Sequence, residues 1–210
     1  MTGPSSELAG WSDLAPLIRR AAALDPAVIV RLTLSDGVRS VWVQLPFDVL
    51  GARTVPAEPD APAFDLVGGG SDVLSWLDGI RLEAPPSIDL AWPGTLPPRR
   101  GWQRLDRVPD SAIREVVRAG ALEIKGLSTP GGSGSPRTEQ ALLDAVVLTA
   151  TQGTVSAPIT LRSLAALTRM GFLPRDSEAA VDVAGRWMRV AAEFGSVYAE
   201  RAGGVLNLLS

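Results

Sequence analysis

Apolar and polar positions recur along the chain with two different periods, and each change of period marks an element. Leu14, Leu17, Ile18 and Ala21 fall at helical spacing behind Ser12, a residue suited to cap a helix. Asp25-Pro26 closes that helix near Leu24, because the residue before a proline is pushed out of the helical region. Val28, Val30, Leu32 and Leu34 then alternate with Ile29, Arg31 and Thr33. Val41, Val43 and Leu45 alternate with Ser40, Trp42 and Gln44 beyond the turn residues Ser35-Asp36-Gly37, so the pair predicts a β-hairpin. Pro46 ends the second strand, and Val49 to Val55 predicts a third.

A proline- and alanine-rich loop over 56–62 leads to a short strand at Phe64 to Val67. Gly68-Gly69-Gly70 and Ser71 then introduce a helix carrying Val73, Leu74, Trp76 and Leu77. Ile80 to Glu83 and Ile88 to Trp92 predict two more strands. Pro93 to Arg100 is irregular, and the segment around Trp102 leads to a helix capped by Asp110, with Ile113, Val116 and Val117 on one face and Gly120 ending it or close to its end. Residues 128–136, Ser-Thr-Pro-Gly-Gly-Ser-Gly-Ser-Pro, form the clearest break in composition.

Beyond that break the pattern turns helical. Thr138 to Thr151 is apolar nearly all round and predicts a buried helix. Thr160 caps a second helix bearing Leu161, Leu164, Leu167 and Phe172. Asp176 or Ser177 opens a third, with Val181, Ala184, Trp187, Met188, Ala191 and Phe194 on one stripe. Ser196 to Arg201 and Val205 to Leu209 flank Gly203-Gly204 as a closing hairpin. Three helices and a hairpin are the chain order of a winged helix. The expected architecture is therefore α+β: a domain at 1–127 with an antiparallel sheet and flanking helices, a linker at 128–136, and a winged-helix-like part at 137–210. No internal sequence repeat is visible.

Composition narrows the chemistry. The 210 residues contain no cysteine and no histidine, so no thiolate, imidazole base or Cys/His metal site of the usual kind can be assembled. Lys125 is the one lysine and lacks the serine three positions earlier that a Ser-Lys dyad needs. Neither glycine cluster, Gly68 to Gly70 nor Gly131 to Gly134, has the spacing or the lysine of a phosphate loop. No cofactor is expected, and a carboxylate-based enzyme is the least favoured reading. The net charge of −3 gives no general field for nucleic acid. Met1 to Gly10 has no signal-peptide pattern, and the longest uncharged run is too short and interrupted for a membrane span, so a cytoplasmic address is expected.

Two clusters remain. Arg99, Arg100, Arg104 and Arg107 surround Trp102, a composition suited to an interaction patch. Arg162 and Arg169 on the predicted second helix are the candidate nucleic-acid contacts of the winged-helix-like part. Its third helix instead presents Glu178, Asp182, Arg186, Arg189 and Glu193, an ion-paired face. The leading reading is a non-catalytic protein-interaction module, an adaptor or regulatory subunit, with protein partners expected, their identity unknown, and self-association open. A nucleic-acid-associated regulator is the alternative.

The segment Arg31 to Val55 and the strings GWQRLDRVPDSAIREVVRAG (101–120), ITLRSLAALTRMGFL (159–173) and AGRWMRVAAEFGSVYAER (184–201) resemble an uncharacterised family of high-GC Gram-positive (actinobacterial) bacteria. That resemblance implies a genomic setting and carries no activity, cofactor or functional residue.

Overall fold

The computed structural model describes residues 10–46, 48–58, 60–127 and 135–201. The chain forms two compact units that divide between Leu96 and Pro97.

The first unit begins with helix α1, Ala15–Leu24, whose Ala15, Leu17, Ile18 and Ala21 are buried. Each large apolar side chain removed from water in this way contributes about 1.5–3 kcal/mol. Strands β1 (Ile29–Ser35), β2 (Val38–Leu45) and β3 (Val49–Pro56) follow as an antiparallel meander. Ser35 pairs with Val38 around a two-residue turn in which Asp36 (φ 50°) and Gly37 (φ 68°) are both left-handed. This is the turn whose twist matches that of the strands. Strand β4, Phe64–Gly69, pairs antiparallel with β1, giving the order β4-β1-β2-β3. It runs directly into helix α2, Gly70–Leu77, which packs on α1. A Cβ on Gly70 would meet Val28 Cγ1 at 2.6 Å, and one on Gly68 would meet Val73 Cγ2 at 2.8 Å. The glycine run is thus the close-packed corner between strand and helix. Phe64 joins Trp11 and Trp76 in an aromatic cluster, with ring centroids 5.8 and 6.0 Å apart.

The expected strands at Ile80 to Glu83 and Ile88 to Trp92 do not form. Pro85-Pro86 between them removes two backbone donors, and the segment instead lies along β4. The Ile88 N–H donates to the Val67 carbonyl (2.9 Å), and Ser87 Oγ accepts from the Val67 N–H (3.1 Å). Asp89–Ala91 makes a single 3₁₀ turn. Trp42 is buried on the face away from the Val41 and Val43 side chains.

The second unit opens with strand β5, Gln103–Pro109, followed at once by helix α3, Asp110–Leu127. Helix α4 (Pro136–Asp144) precedes a hairpin of β6 (Val146–Gln152) and β7 (Val155–Thr160). Helix α5 (Leu161–Arg169) then leads to the meander β8 (Glu178–Ala184), β9 (Trp187–Ala192) and β10 (Gly195–Glu200), and β5 pairs with β8 to give the order β10-β9-β8-β5. The division between units therefore does not fall at 128–136, of which residues 128–134 lie outside the described set.

The winged-helix order is not formed. The predicted buried helix over 138–151 is α4 followed by β6, and none of the α4 residues is buried. The predicted third helix is the hairpin β8–β9. Its apolar residues satisfy both periods, since Val181 and Met188 belong to the helical stripe and also to the alternation Ala179, Val181, Val183 and Met188, Val190. Gly185 at φ 54° decides for the strand, because a left-handed residue breaks a helix and suits the first position of a two-residue hairpin turn. Ser196 to Glu200 is a strand as expected, but it pairs with β9. Residues 203–209 lie outside the described set.

Each unit thus carries a four-stranded antiparallel sheet built from a helix-plus-meander (α1-β1-β2-β3, α5-β8-β9-β10) and a strand-plus-helix (β4-α2, β5-α3). The added strand always pairs with the first strand of the meander. The two pieces come in opposite chain order in the two units, so no sequence repeat betrays the shared plan.

Gly120 does not end α3. It is buried against α5, where a Cβ would lie 2.9 Å from Leu161 Cδ1 and closer still to Cδ2. Gly126, in the same helix, has nothing within 4 Å of its Cβ position. Gly126→Ala is therefore expected to raise stability by about 0.5–1 kcal/mol through helix propensity. Gly120→Ala is expected to lower it by about 1–3 kcal/mol through overpacking. Urea unfolding of both variants reads the two signs side by side.

Candidate interaction site on the second sheet

The polar side chains of the second unit converge on the sheet face away from the buried Val181, Val190 and Val197. The β8–β9 register puts Asp182 opposite Arg189, the β9–β10 register puts Arg189 opposite Tyr198, and the β5–β8 register puts Arg104 opposite Asp182. Directly paired residues share a face. One row therefore runs Arg104, Asp182, Arg189, Tyr198 across four strands.

Asp182 is buried, with 1% of its surface exposed. Such a carboxylate stays charged only if its lone pairs are satisfied. Arg189 donates to Asp182 Oδ2 from Nε (3.0 Å) and Nη2 (2.7 Å), and Arg104 Nε donates to Oδ1. The Arg189 guanidinium also lies over the Trp102 ring, 4.5 Å from its centroid, and Trp102 meets Tyr198 edge-on at 5.7 Å. The Trp102 indole N–H donates to the Pro98 carbonyl (2.8 Å), which holds the ring against the strands. Burial pushes the Tyr198 phenol above its ordinary value of about 10, and the neighbouring Arg189 charge opposes that rise.

A β-bulge between Arg104 and Asp106 shapes the rim. Residues three apart in a regular strand lie on opposite faces. Here Arg104 pairs with Asp182 and Arg107 with Ala180, two positions apart on β8, so the extra residue returns both arginines to one face. Leu105, in the bulge, is buried.

The sequence patch is thus partly assembled. Trp102 and Arg104 belong to the network. Arg107 stands at the rim, 3.8 Å from Glu178, and Arg99 and Arg100 are exposed in the approach to β5. Asp182, Arg189 and Tyr198 were missed because their segment reads as helix, which pairs Asp182 with Arg186 and Arg189 with Glu193. The signal that finds them is the equal offset of Asp182 and Arg189 from the Gly185-Arg186 turn.

Arg162 is corrected by the structure. It is buried, with Nε on Asp144 Oδ1 (2.8 Å) and Nη2 near Gln140 Oε1 (3.1 Å), so its guanidinium ties α5 to α4 and does not face a duplex. Arg169 is exposed in the last turn of α5. Among the described residues no three acidic side chains gather as a metal site, and no helix is long and apolar enough to cross a membrane. In the first unit, Asp25 and Asp48 line an open cleft of about 190 Å³. Asp25 is already occupied there, accepting from the Ala27 N–H at 2.9 Å.

Residues 97–204, just over half of the chain, match the family described as Domain of unknown function (DUF8185), and residues 6–94 match Domain of unknown function (DUF8010). The chain belongs to the DUF8185 family. No curated protein matches it. Among solved structures, this DUF8185 chain is similar to the DNA polymerase III subunit beta from Pseudomonas aeruginosa (TM-score 0.57, 12% identity, 93% of this chain, 64% of that one). It is also similar to the DNA polymerase sliding clamp from Pseudomonas aeruginosa with ligand (TM-score 0.55, 12% identity, 93% and 64%). A third is the Helicobacter pylori beta clamp bound to DNA ligase peptide (TM-score 0.52, 10% identity, 93% and 66%). The fold is clamp-like. The chain spans about two thirds of the length of the clamps it resembles.

Within the DUF8185 region, Tyr198 is the sole tyrosine of the chain and so reports the site directly. Above pH 10 the unfolded chain ionises this phenol before the folded one does. The stability it contributes is therefore complete below about pH 10 and is lost as pH rises through the elevated folded value. Tyrosinate absorbance should titrate above 10 in the native protein, and Arg189→Gln should move the midpoint higher still. Asp182→Ala strands two guanidiniums and is expected to cost on the order of 3 kcal/mol. Glu178→Ala at the rim should stay within about 0.5 kcal/mol in the same chemical denaturation series.

Proposed function

We propose that the protein is a non-catalytic protein-interaction scaffold, an adaptor or regulatory subunit acting in the cytoplasm, whose contact surface is the Trp102–Arg104–Arg189–Tyr198 face. The observation that carries this reading is the network itself. Its acid is saturated by two arginines, so it holds no free base or nucleophile, while the half-buried Trp102 and the exposed Arg104 at its rim, backed by the buried Tyr198, are of the residue types that dominate interface energetics. The side chains are held in place before any partner arrives, which lowers the entropic cost of association.

The clamp-like fold supports the same reading, since one of the similar structures is a clamp bound to a peptide. A nucleic-acid role has weaker support. On α1 and α2 the exposed Arg19 and Arg20 are matched by Asp72 and Asp78, with Arg19 bound to Asp78 at 2.5 Å. On α3 the exposed Arg118 and Lys125 are matched by Glu115 and Glu123. Neither helix face has the cationic surplus that phosphate contacts need.

Affinity capture of the tagged chain from its own cells tests the proposal. A partner retained by the wild type should be lost from Arg104→Glu/Arg107→Glu and kept by Arg118→Glu/Lys125→Glu. Equal recovery with both variants would remove this face from the reading.

A further inference from the structure

We infer that the ligand of this face is an acidic segment of a protein partner, whose carboxylates are taken by the arginines along β5. The inference rests on the interaction reading above and names its partner chemistry. In a chain of net charge −3, residues 99–107 hold four arginines and one acid. That acid, Asp106, is exposed, accepts the Arg107 backbone N–H at Oδ1 (2.7 Å) and pairs with Val181, whereas Arg104 and Arg107 pair with Asp182 and Ala180 on the other face. Counting Arg186, Arg189, Asp182, Glu178 and Glu200, six arginines stand against four acids on and beside this face.

The geometry leaves the right groups outward. Arg104 meets Asp182 through Nε, and 44% of its side chain is exposed. Arg107 is 62% exposed and lies 3.8 Å from Glu178, beyond hydrogen-bond reach. The bulge sets these two guanidiniums on one face, with Arg99 and Arg100 exposed at the entry to the strand. Guanidinium is the cation best matched to a carboxylate, because its forked donors meet both oxygens. A run of acidic side chains along β5 would find several such forks in succession.

Charge alone would equally attract nucleic acid, so the aromatic group decides. Single strands are held by stacking bases on free aromatic faces. Trp102 is already engaged, with the Arg189 guanidinium 4.5 Å over its ring, the Tyr198 ring at its edge and its N–H bound to Pro98. Glu178 beside Arg107 would also oppose a continuous phosphate backbone, while a peptide can place its carboxylates elsewhere.

Fluorescence anisotropy on the purified full chain tests this with three labelled probes of equal length: a Glu/Gly peptide, a Lys/Gly peptide and a single-stranded oligonucleotide. The Glu/Gly peptide should bind, and weaken with salt between about 50 and 300 mM as a screened charge interaction must. The Lys/Gly peptide should not bind. Arg104→Gln/Arg107→Gln should weaken the acidic peptide by about tenfold or more. Because Arg104 also serves Asp182, Arg100→Gln/Arg107→Gln provides a second variant outside the buried network and should give a loss of the same sign. Arg118→Gln/Lys125→Gln should bind as wild type. Absence of Glu/Gly binding, or binding indifferent to both β5 variants, overturns the inference. Oligonucleotide binding that the β5 variants abolish, without peptide binding, overturns it in favour of nucleic acid. If the probe fails while cellular capture remains sensitive to Arg104 and Arg107, the acidic chemistry is wrong and the interaction face stands. Loss of both removes the face as well.

Discussion

The two-residue turn at Gly185 and Arg186 sets the register on which the second unit depends. With Ala184 paired to Trp187, each residue from Ala180 to Ala184 has a fixed partner on β9, and Asp182 must lie opposite Arg189. A slip of one residue would carry every side chain to the other face. Asp182 would then leave its two arginines, and Val181 and Val190 would leave the buried side. The turn residue is small and left-handed, yet the charge network and the apolar core both follow from it.

The two units reach the same sheet by different chain orders. In each, a helix-plus-meander accepts an extra strand beside its first strand, and that extra strand continues straight into a helix. The layer logic explains the convergence. A half-buried sheet needs one apolar face covered, and a helix leaving the added strand supplies part of the cover. Tight corners make this feasible: Gly70 against Val28 and Gly120 against Leu161 are places where any side chain would intrude. At these two positions glycine serves packing, although it lowers helix propensity.

The first unit was largely legible because its signals agree. Asp36-Gly37 demands a left-handed turn, and the residues on either side alternate without ambiguity. The second unit was misread where signals conflict. Over 178–192 the apolar residues fit a helix and a strand alike. At 138–151 the run of Val146, Val147 and Thr149 is β-branched, and its strand preference was outweighed in the reading by unbroken hydrophobicity. Strand β5 was missed because its arginines look like a loop, while a bulge and a partner strand give them their order.

The sequence alone determined the chemical alphabet: no thiol, no imidazole, one amine, and arginines gathered with tryptophan between 99 and 107. It also determined the elements whose local turn chemistry and periodicity coincide. Tertiary structure decided which charges meet, bringing Arg104 to Asp182 across 78 positions and burying Arg162 against Asp144 instead of presenting it. The reason is physical. Side-chain type and backbone preference are properties of single residues and near neighbours, whereas the pairing of distant strands is a collective choice made by burying one face of a sheet.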